Sequence, residues 1–478
     1  MKVLFAVSEC VPFIKSGGLA DVAGSLPKEL KKLGADVRVI LPKYKTIPDE
    51  WKKQMRKKTE FTVQLGWRKQ YCGIDELELE GICFYFIDNE YYFTRSQLYG
   101  EYDDGERFAF FTRAVLDGLK HIGFVPDVLH CHDWHAGMIP FLLKNEYQWK
   151  EDYQSIKTVF TIHNLQFQGI FPKIILGDLL GLDERFFNPE FVEFYGNVSF
   201  MKGGLVASDK ITTVSPTYMD EIQTAHLGEG LDGVLRNRTE DLIGILNGID
   251  NDLYDPEEDG AIAAPFSSIA YDQRLVNKCD LQTFFELPIK EDVPVVAMIS
   301  RLTKQKGVEL VQAVFHELME TGSQFIVLGT GDPEFEGFFN AMAAQYPLQC
   351  KVWIGFDEKL AHKIYAGSDL FLMPSKFEPC GLSQLIAMRY GSVPIVRETG
   401  GLNDTVKSFD EFTEAGNGFS FKNFNAHDML YTIERAIRLF RNRGQWQSLV
   451  QKVMELDFSW EQSARQYHQL YMDIISRG

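Results

Sequence analysis

The sequence predicts an α/β protein built as two doubly wound domains. Short apolar runs recur along the chain with helical patterns between them, a polar and turn-rich stretch interrupts the recurrence, and the recurrence then restarts. At 478 residues the chain also exceeds the roughly 250 to 300 residues at which a single hydrophobic core stops growing.

The first strand is expected at residues 2–7. A long loop with Lys15, Ser16, Gly17 and Gly18 follows, then a helix with Leu19, Val22, Leu26, Leu30 and Leu33 at helical spacing, ended by Gly34. Residues 37–41 complete a βαβ unit. Further strands are expected at 62–65, 82–87, 128–131, 158–162, 210–214 and 242–246, with helices such as 107–121 between several of them. The run Lys52, Lys53, Arg56, Lys57 and Lys58 reads as a solvated helix face. Asn247, Asp250, Asp252, Asp255, Pro256 and Gly260 form the linker. In the second half, strands are expected at 293–299, 325–328, 351–354, 369–373 and 393–396, and helices at 308–319, 428–440 and 461–474. The expected domains are 1–248 and 249–459, with the helix at 460–478 packing back on the first.

Composition excludes several function classes. Apolar residues are 45% and charged residues 24%, and no apolar run approaches the roughly 18 residues of a membrane span. The run Val3 to Val7 is shorter than a signal-peptide core of about 7 to 15 residues, so a cytoplasmic protein is expected. Seven cysteines without a C-x-x-C pair fit reduced thiols. A formal charge of −18 opposes nucleic acid and anionic membranes as partners, and makes a lysine or arginine beside a glycine turn a marker for a small anionic ligand.

The most informative stretch is SKFEPCGLSQL, Ser375 to Leu385, which sets Glu378 in a Pro/Gly-braced turn at the carboxyl end of an apolar strand, where open α/β sheets hold ligands. Thr399, Gly400 and Gly401 form a second such turn, where paired glycines let backbone N–H groups approach an anion. Each half opens on a strand followed by a cationic loop, so Lys15, Arg301 and Lys306 are candidates to hold the phosphates of a nucleotide. The run HCHDWH, His130 to His135, invites a metal reading, but no downstream cluster of ligand type completes a site. Trp134 could lay its face on a sugar ring while Asp133 accepts hydroxyl hydrogen bonds; a core tryptophan beside a helix cap is the other account of the pair. His163 and Asn164 follow a further apolar strand. The dinucleotide fingerprint, the G-x-S-x-G elbow and the Walker lysine motif are absent.

Together these segments resemble the bacterial glycogen synthases and plant starch synthases over nearly the whole chain. The resemblance rests on KSGGLADVAGSLP from Lys15, HCHDWHAG from His130, FTIHNLQFQG from Phe160, TTVSPTYMDEI from Thr212, LNGID from Leu246, SRLTKQKG from Ser300, SKFEPCGLSQL, and RETGGLNDTV from Arg397. It implies a GT-B fold, two Rossmann-like domains facing a deep cleft. The implied reaction is a retaining transfer of glucose from a nucleotide sugar to the non-reducing end of an α-1,4-glucan, without metal or cofactor. Carried over, it makes Glu378, Arg301, Lys306 and His163 the catalytic set, with Arg301 and Lys306 on the leaving phosphate and His163 against the glucose. Lys15, Gly17, Gly18, Asp21, Asn247, Phe356, Cys380, Gly381, Leu382, Ser383, Thr399, Gly400 and Gly401 are implied on the donor side, Phe356 in the base pocket. Glu9, Asp133, Trp134 and Asn164 are implied on the acceptor side. Ser16 and Ser383 stand where the family usually has threonine, and Ile386 where many other retaining GT-B enzymes have a second glutamate. The turns do not reveal the donor base; the short chain looks like the bacterial type, which favours ADP-glucose. A phosphorylase of the same fold, needing a Schiff-base lysine for pyridoxal phosphate, and a non-catalytic binding protein are the alternatives.

Overall fold

The structure is a computed structural model and describes residues 1–476. The last two residues of the terminal helix expected from sequence lie outside the described residues. The chain forms two compact units. One consists of residues 1–247 and the returning helix Trp460–Ser476, the other of residues 248–459.

Among the described residues the main sheet of the first unit has nine strands: β1 (Lys2–Ala6), β2 (Asp36–Pro42), β3 (Arg56–Leu65), β4 (Arg68–Leu79), β5 (Ile82–Asp88), β6 (Val128–His132), β7 (Lys157–Ile162) and, after a small separate antiparallel sheet of β8 (Ile170–Pro172), β9 (Glu193–Phe194) and β10 (Asn197–Ser199), β11 (Lys210–Thr213) and β12 (Leu242–Gly244). Their order is β12-β11-β7-β6-β1-β2-β5-β4-β3. All neighbours are parallel except β5 with β4 and β4 with β3. Every residue of β6 is buried, as a strand covered by helices on both faces requires. The helix Gly18–Lys32 crosses from β1 to β2, with Leu19, Val22, Leu26 and Leu30 inward. The terminal helix packs beside it and buries Tyr467, Leu470, Tyr471 and Ile474.

In the second unit β13 (Val295–Ile299), β14 (Gln324–Gly329), β15 (Cys350–Ile354), β16 (Leu370–Met373), β17 (Val393–Arg397) and β18 (Phe419–Phe421) form one parallel sheet, ordered β15-β14-β13-β16-β17-β18. The core gathers around β13, β14 and β16 and includes Leu281, Phe325, Phe371, Leu385 and Trp446.

Each sheet reverses its direction of growth once. In the first the chain adds β2 on one side of β1 and later β6 and β7 on the other; in the second, β14 and β15 go to one side of β13 and β16 to β18 to the other. Loops at the carboxyl ends of strands flanking such a reversal diverge and leave a crevice for a ligand.

Two expectations are corrected. The basic run is no helix face: the helix Asp49–Lys52 is brief, and Arg56, Lys57 and Lys58 lie exposed on the edge strand β3, where charge discourages pairing with another chain. The helix expected at 308–319 is two, Val308–Ala313 and Phe315–Glu320, broken at Val314.

Candidate functional site

In the second unit three loops follow β13, β16 and β17, the strands at the reversal. The loop after β13 carries Arg301, whose exposed guanidinium lies 3.4 Å from Gln305 Oε1, and the short turn Lys304–Lys306. The loop after β16 carries Glu378, 6% exposed. Lys306 Nζ donates to Glu378 Oε2 at 2.6 Å, and Ser375 Oγ donates to the same oxygen at 2.9 Å. A buried carboxylate is tolerable only with such partners.

Glycines bring these loops together. Gly307 has φ +70°, and a Cβ there would fall 2.1 Å from the carbonyl oxygen of Pro374, so the Lys306 loop reaches the Glu378 loop only because the side chain is missing. Arg397 clamps the Glu378 loop from below through the carbonyls of Ser375 and Lys376. Gln384 does so from the following helix, through Gly381 O at 2.8 Å. Cys380 is buried, Gly381 has φ +73°, and Leu382 and Ser383 open the helix Ser383–Arg389.

The N–H of Gly401 points to the carbonyls of Glu378 and Pro379, at 3.2 and 3.1 Å, within the neighbouring turn. A Cβ at Gly400 would fall 1.9 Å from Glu378 O and one at Gly401 2.1 Å from Cys380 O. The pair, with Thr399 at its cap, thus lets the two turns pack backbone on backbone. Phe356 follows the edge strand β15 and is 77% exposed.

The first unit places its candidates after β1, β6 and β7, three adjacent strands at its own reversal. After β1, buried Glu9 accepts from the backbone N–H groups of Ser16 and Gly17, and burial pushes its carboxyl up to about 7. Lys15 pairs with Asp21 at 2.7 Å, and Gly17 and Gly18 open the helix. After β6, Asp133 takes a left-handed φ of +54°. It accepts the backbone N–H of His163 at 2.8 Å, and burial pushes its carboxyl up to about 7 as well. After β7, His163 Nε2 lies 2.9 Å from His132 Nδ1, and burial holds the His163 ring neutral, down at about 3. Asn164 caps its own turn through Gln166 N. Asn247 ends the unit, buried, with no hydrogen bond to its Oδ1 among the described residues.

Trp134 is not the open sugar platform that its neighbourhood suggested. It is 8% exposed, packed against Phe108 at 4.9 Å and Phe171 at 5.7 Å, with Gly169 so close over the ring that a Cβ would fall 2.3 Å from it. The core account of this residue holds. Nearby, His130 bridges Tyr471 and Thr161, and among the described residues no group of three or more His, Cys, Asp or Glu is placed to hold a metal ion. The positioning roles of Ser375, Gln384 and Arg397 were not read from sequence, although each lies in or beside a quoted motif; single polar residues around a turn carry no spacing signal.

Two Rossmann-like units, each with its polar loops gathered at the reversal of a parallel sheet, are the plan of the GT-B glycosyltransferases. Residues 2–237 match the family described as starch synthase catalytic domain, and residues 281–448 the one described as glycosyl transferases group 1. The chain is 62% identical over 476 residues to a glycogen synthase of Anoxybacillus flavithermus, covering 100% of this chain and 98% of that one. It is 59% identical over 475 residues to a glycogen synthase of Bacillus cereus, covering 99% and 100%. Among solved structures it is similar to the catalytic domain of starch synthase IV from Arabidopsis thaliana bound to ADP and acarbose, with TM-score 0.92, 37% identity and 99% of each chain covered. A sucrose-phosphate synthase from Thermosynechococcus elongatus, at 16% identity and TM-score 0.64 over 100% of each chain, shares the fold. The chain belongs to the glycogen synthase family, among the starch and glycogen synthases.

Proposed function

We propose that this enzyme transfers glucose from ADP-glucose to the non-reducing end of an α-1,4-glucan with retention of the anomeric configuration. The observation that carries the reading is the buried Lys306–Glu378 pair at the sheet reversal of the second unit, braced by Ser375 and by backbone packing at Gly307 and Gly400. The ADP and acarbose of the starch synthase structure support a donor with an adenine nucleotide and a glucan-like acceptor.

Arg301 and Lys306 neutralise the diphosphate as it leaves, which is where charge accumulates in this reaction. Glu378 Oε2 already receives two hydrogen bonds, which hold the carboxylate in place. Glu378 acts as a fixed negative group that orients the sugar and steadies positive charge at the anomeric carbon. Lys15 assists at the diphosphate, Phe356 offers an exposed ring to the base, and His163 contacts the transferred glucose. Glu9, Asp133 and Asn164 provide hydrogen-bonding groups for the acceptor side.

The test is a panel of ADP-, UDP- and GDP-glucose with glycogen, following nucleotide release and reading the new linkage by proton NMR. Turnover with ADP-glucose and an α-1,4 product is expected. Preference for another nucleotide, or a β-linked product, would overturn the corresponding half of the reading.

A further inference from the structure

His132 makes a contact that the proposed reaction leaves unexplained. It is the last residue of β6 and fully buried. Its ring stacks on Phe5 at 5.2 Å and lies 4.1 Å from that of His130, so it is held on two sides. Its Nδ1 meets His163 Nε2 at 2.9 Å, while its Nε2 is buried without a hydrogen-bond partner among the described residues. The next residue, Asp133, holds the backbone N–H of His163. Two consecutive residues of one strand end thus fix both the main chain and the ring of His163.

We propose that His132 is a positioning residue that fixes the tautomer of His163, so that His163 offers an N–H at Nδ1 to an oxygen of the transferred sugar. Between two neutral imidazoles one nitrogen must donate and the other accept. Burial keeps both rings neutral. If His163 Nε2 carried the proton, His132 Nδ1 would accept it, and the proton of His132 would sit on Nε2, a buried donor with no acceptor. If His132 Nδ1 carries the proton, the orphan Nε2 is only a bare lone pair. Buried donors without acceptors are the rarer and costlier defect. The second arrangement wins, His163 Nε2 accepts, and its proton resides on Nδ1, the ring nitrogen left for a ligand. His163 therefore acts as a hydrogen-bond donor and not as a base. This rests on the reading above that His163 touches the glucose.

The experiment labels the enzyme with nitrogen-15 histidine and reads each ring's tautomer from two-bond proton–nitrogen spectra; the chain has ten histidines, and His163→Gln assigns the signal. The wild type is expected to show Nδ1–H at His163. In His132→Phe, His163 should revert to the Nε2–H form favoured by free histidine, and kcat should fall by about tenfold or more while nucleotide affinity changes by less than about threefold. His132→Asn, which keeps a donor near the Nδ1 position, should restore most of that rate. An Nε2–H tautomer in the wild type overturns the proposal whatever the variants do, and so does a folded His132→Phe enzyme with full kcat. The expected tautomer together with a fully active His163→Gln enzyme would instead overturn the glucose contact, and with it the role of His132 in the reaction.

Discussion

At Glu378 a lysine and a serine converge on one carboxylate oxygen, so the residues of the site cannot be varied independently. Glu378→Gln should lower kcat by at least about 10² with nucleotide affinity changed by less than about tenfold, the pattern for a group aimed at transition-state charge. Lys306→Ala should weaken nucleotide binding as well, because on the proposed reading that cation meets the diphosphate both bound and departing, and it also leaves Glu378 buried without its counter-ion. Nucleotide titration beside steady-state rates on glycogen checks the contrast; a fully active Glu378→Gln enzyme would reduce the residue to a structural carboxylate. Glu9 gives a prediction about pH. Its carboxyl titrates at about 7 when folded against 4.5 when exposed, so the folded state holds a proton that the unfolded state has lost, and stability falls as pH rises from about 4.5 to 7. Glu9→Gln removes that penalty and should stabilise the protein by about 3 kcal/mol at pH 8, and by less than about 1 kcal/mol at pH 5, in denaturant titrations. An equal effect at both pH values would refute the assignment. At this scale the sequence set Lys306 and Glu378 in turns at strand ends, and the structure pairs them. It did not reveal the surroundings of Trp134 or the contacts of Gly401, because the groups that pack on them are distant in sequence.

Among the elements, the turns after β13, β16 and β17 need close backbone approach at their glycines in addition to the side-chain bonds of Arg397, Gln384 and Lys306. Gly400→Ala combines a left-handed φ of +44° with a Cβ 1.9 Å from Glu378 O, and should cost about 2 to 4 kcal/mol and most of the activity. Gly322→Ala is the control: its φ is +78° but nothing lies within 4 Å, so it should show the strain of the backbone alone, about 1 kcal/mol, with activity kept. Equal losses in the two variants, by thermal melting, would mean that conformation and not contact governs the turn. The parallel strands of both sheets are legible because burial on both faces leaves near-continuous apolar runs, as in residues 128–131 and 325–328. β4 is not, because only Cys72, Gly73, Ile74 and Leu77 of its twelve residues are buried, and a glycine at its centre argues against a strand. The small sheet of β8, β9 and β10 escapes for the same reason, with strands of two or three residues that no periodicity can announce. The break at Val314 divides a helix whose apolar spacing reads as continuous.

Over the whole molecule, the first unit is built from two stretches of chain that are far apart in sequence. The returning helix supplies Tyr471 to His130 at 2.7 Å and Ser463 to the carbonyl of Leu246 at 2.5 Å, packs beside the helix Gly18–Lys32, and buries Tyr467, Leu470 and Ile474. Ending the chain after Ser459 should therefore destabilise the first unit by on the order of 6 kcal/mol while leaving the transition of residues 248–459 in place, as calorimetry would resolve. Loss of the second unit's transition instead would contradict the division of the chain. The same return also sets a schedule for synthesis. A ribosome delivers residues at about 5 to 20 per second and domains fold as they emerge, yet here the second unit is complete before the first has received its closing helix. The loops of Glu378 and Lys306 can assemble on the nascent chain before the first unit receives the helix Trp460–Ser476. An unfinished chain thus carries a folded second unit while the first still lacks the helix whose Tyr471 bonds His130.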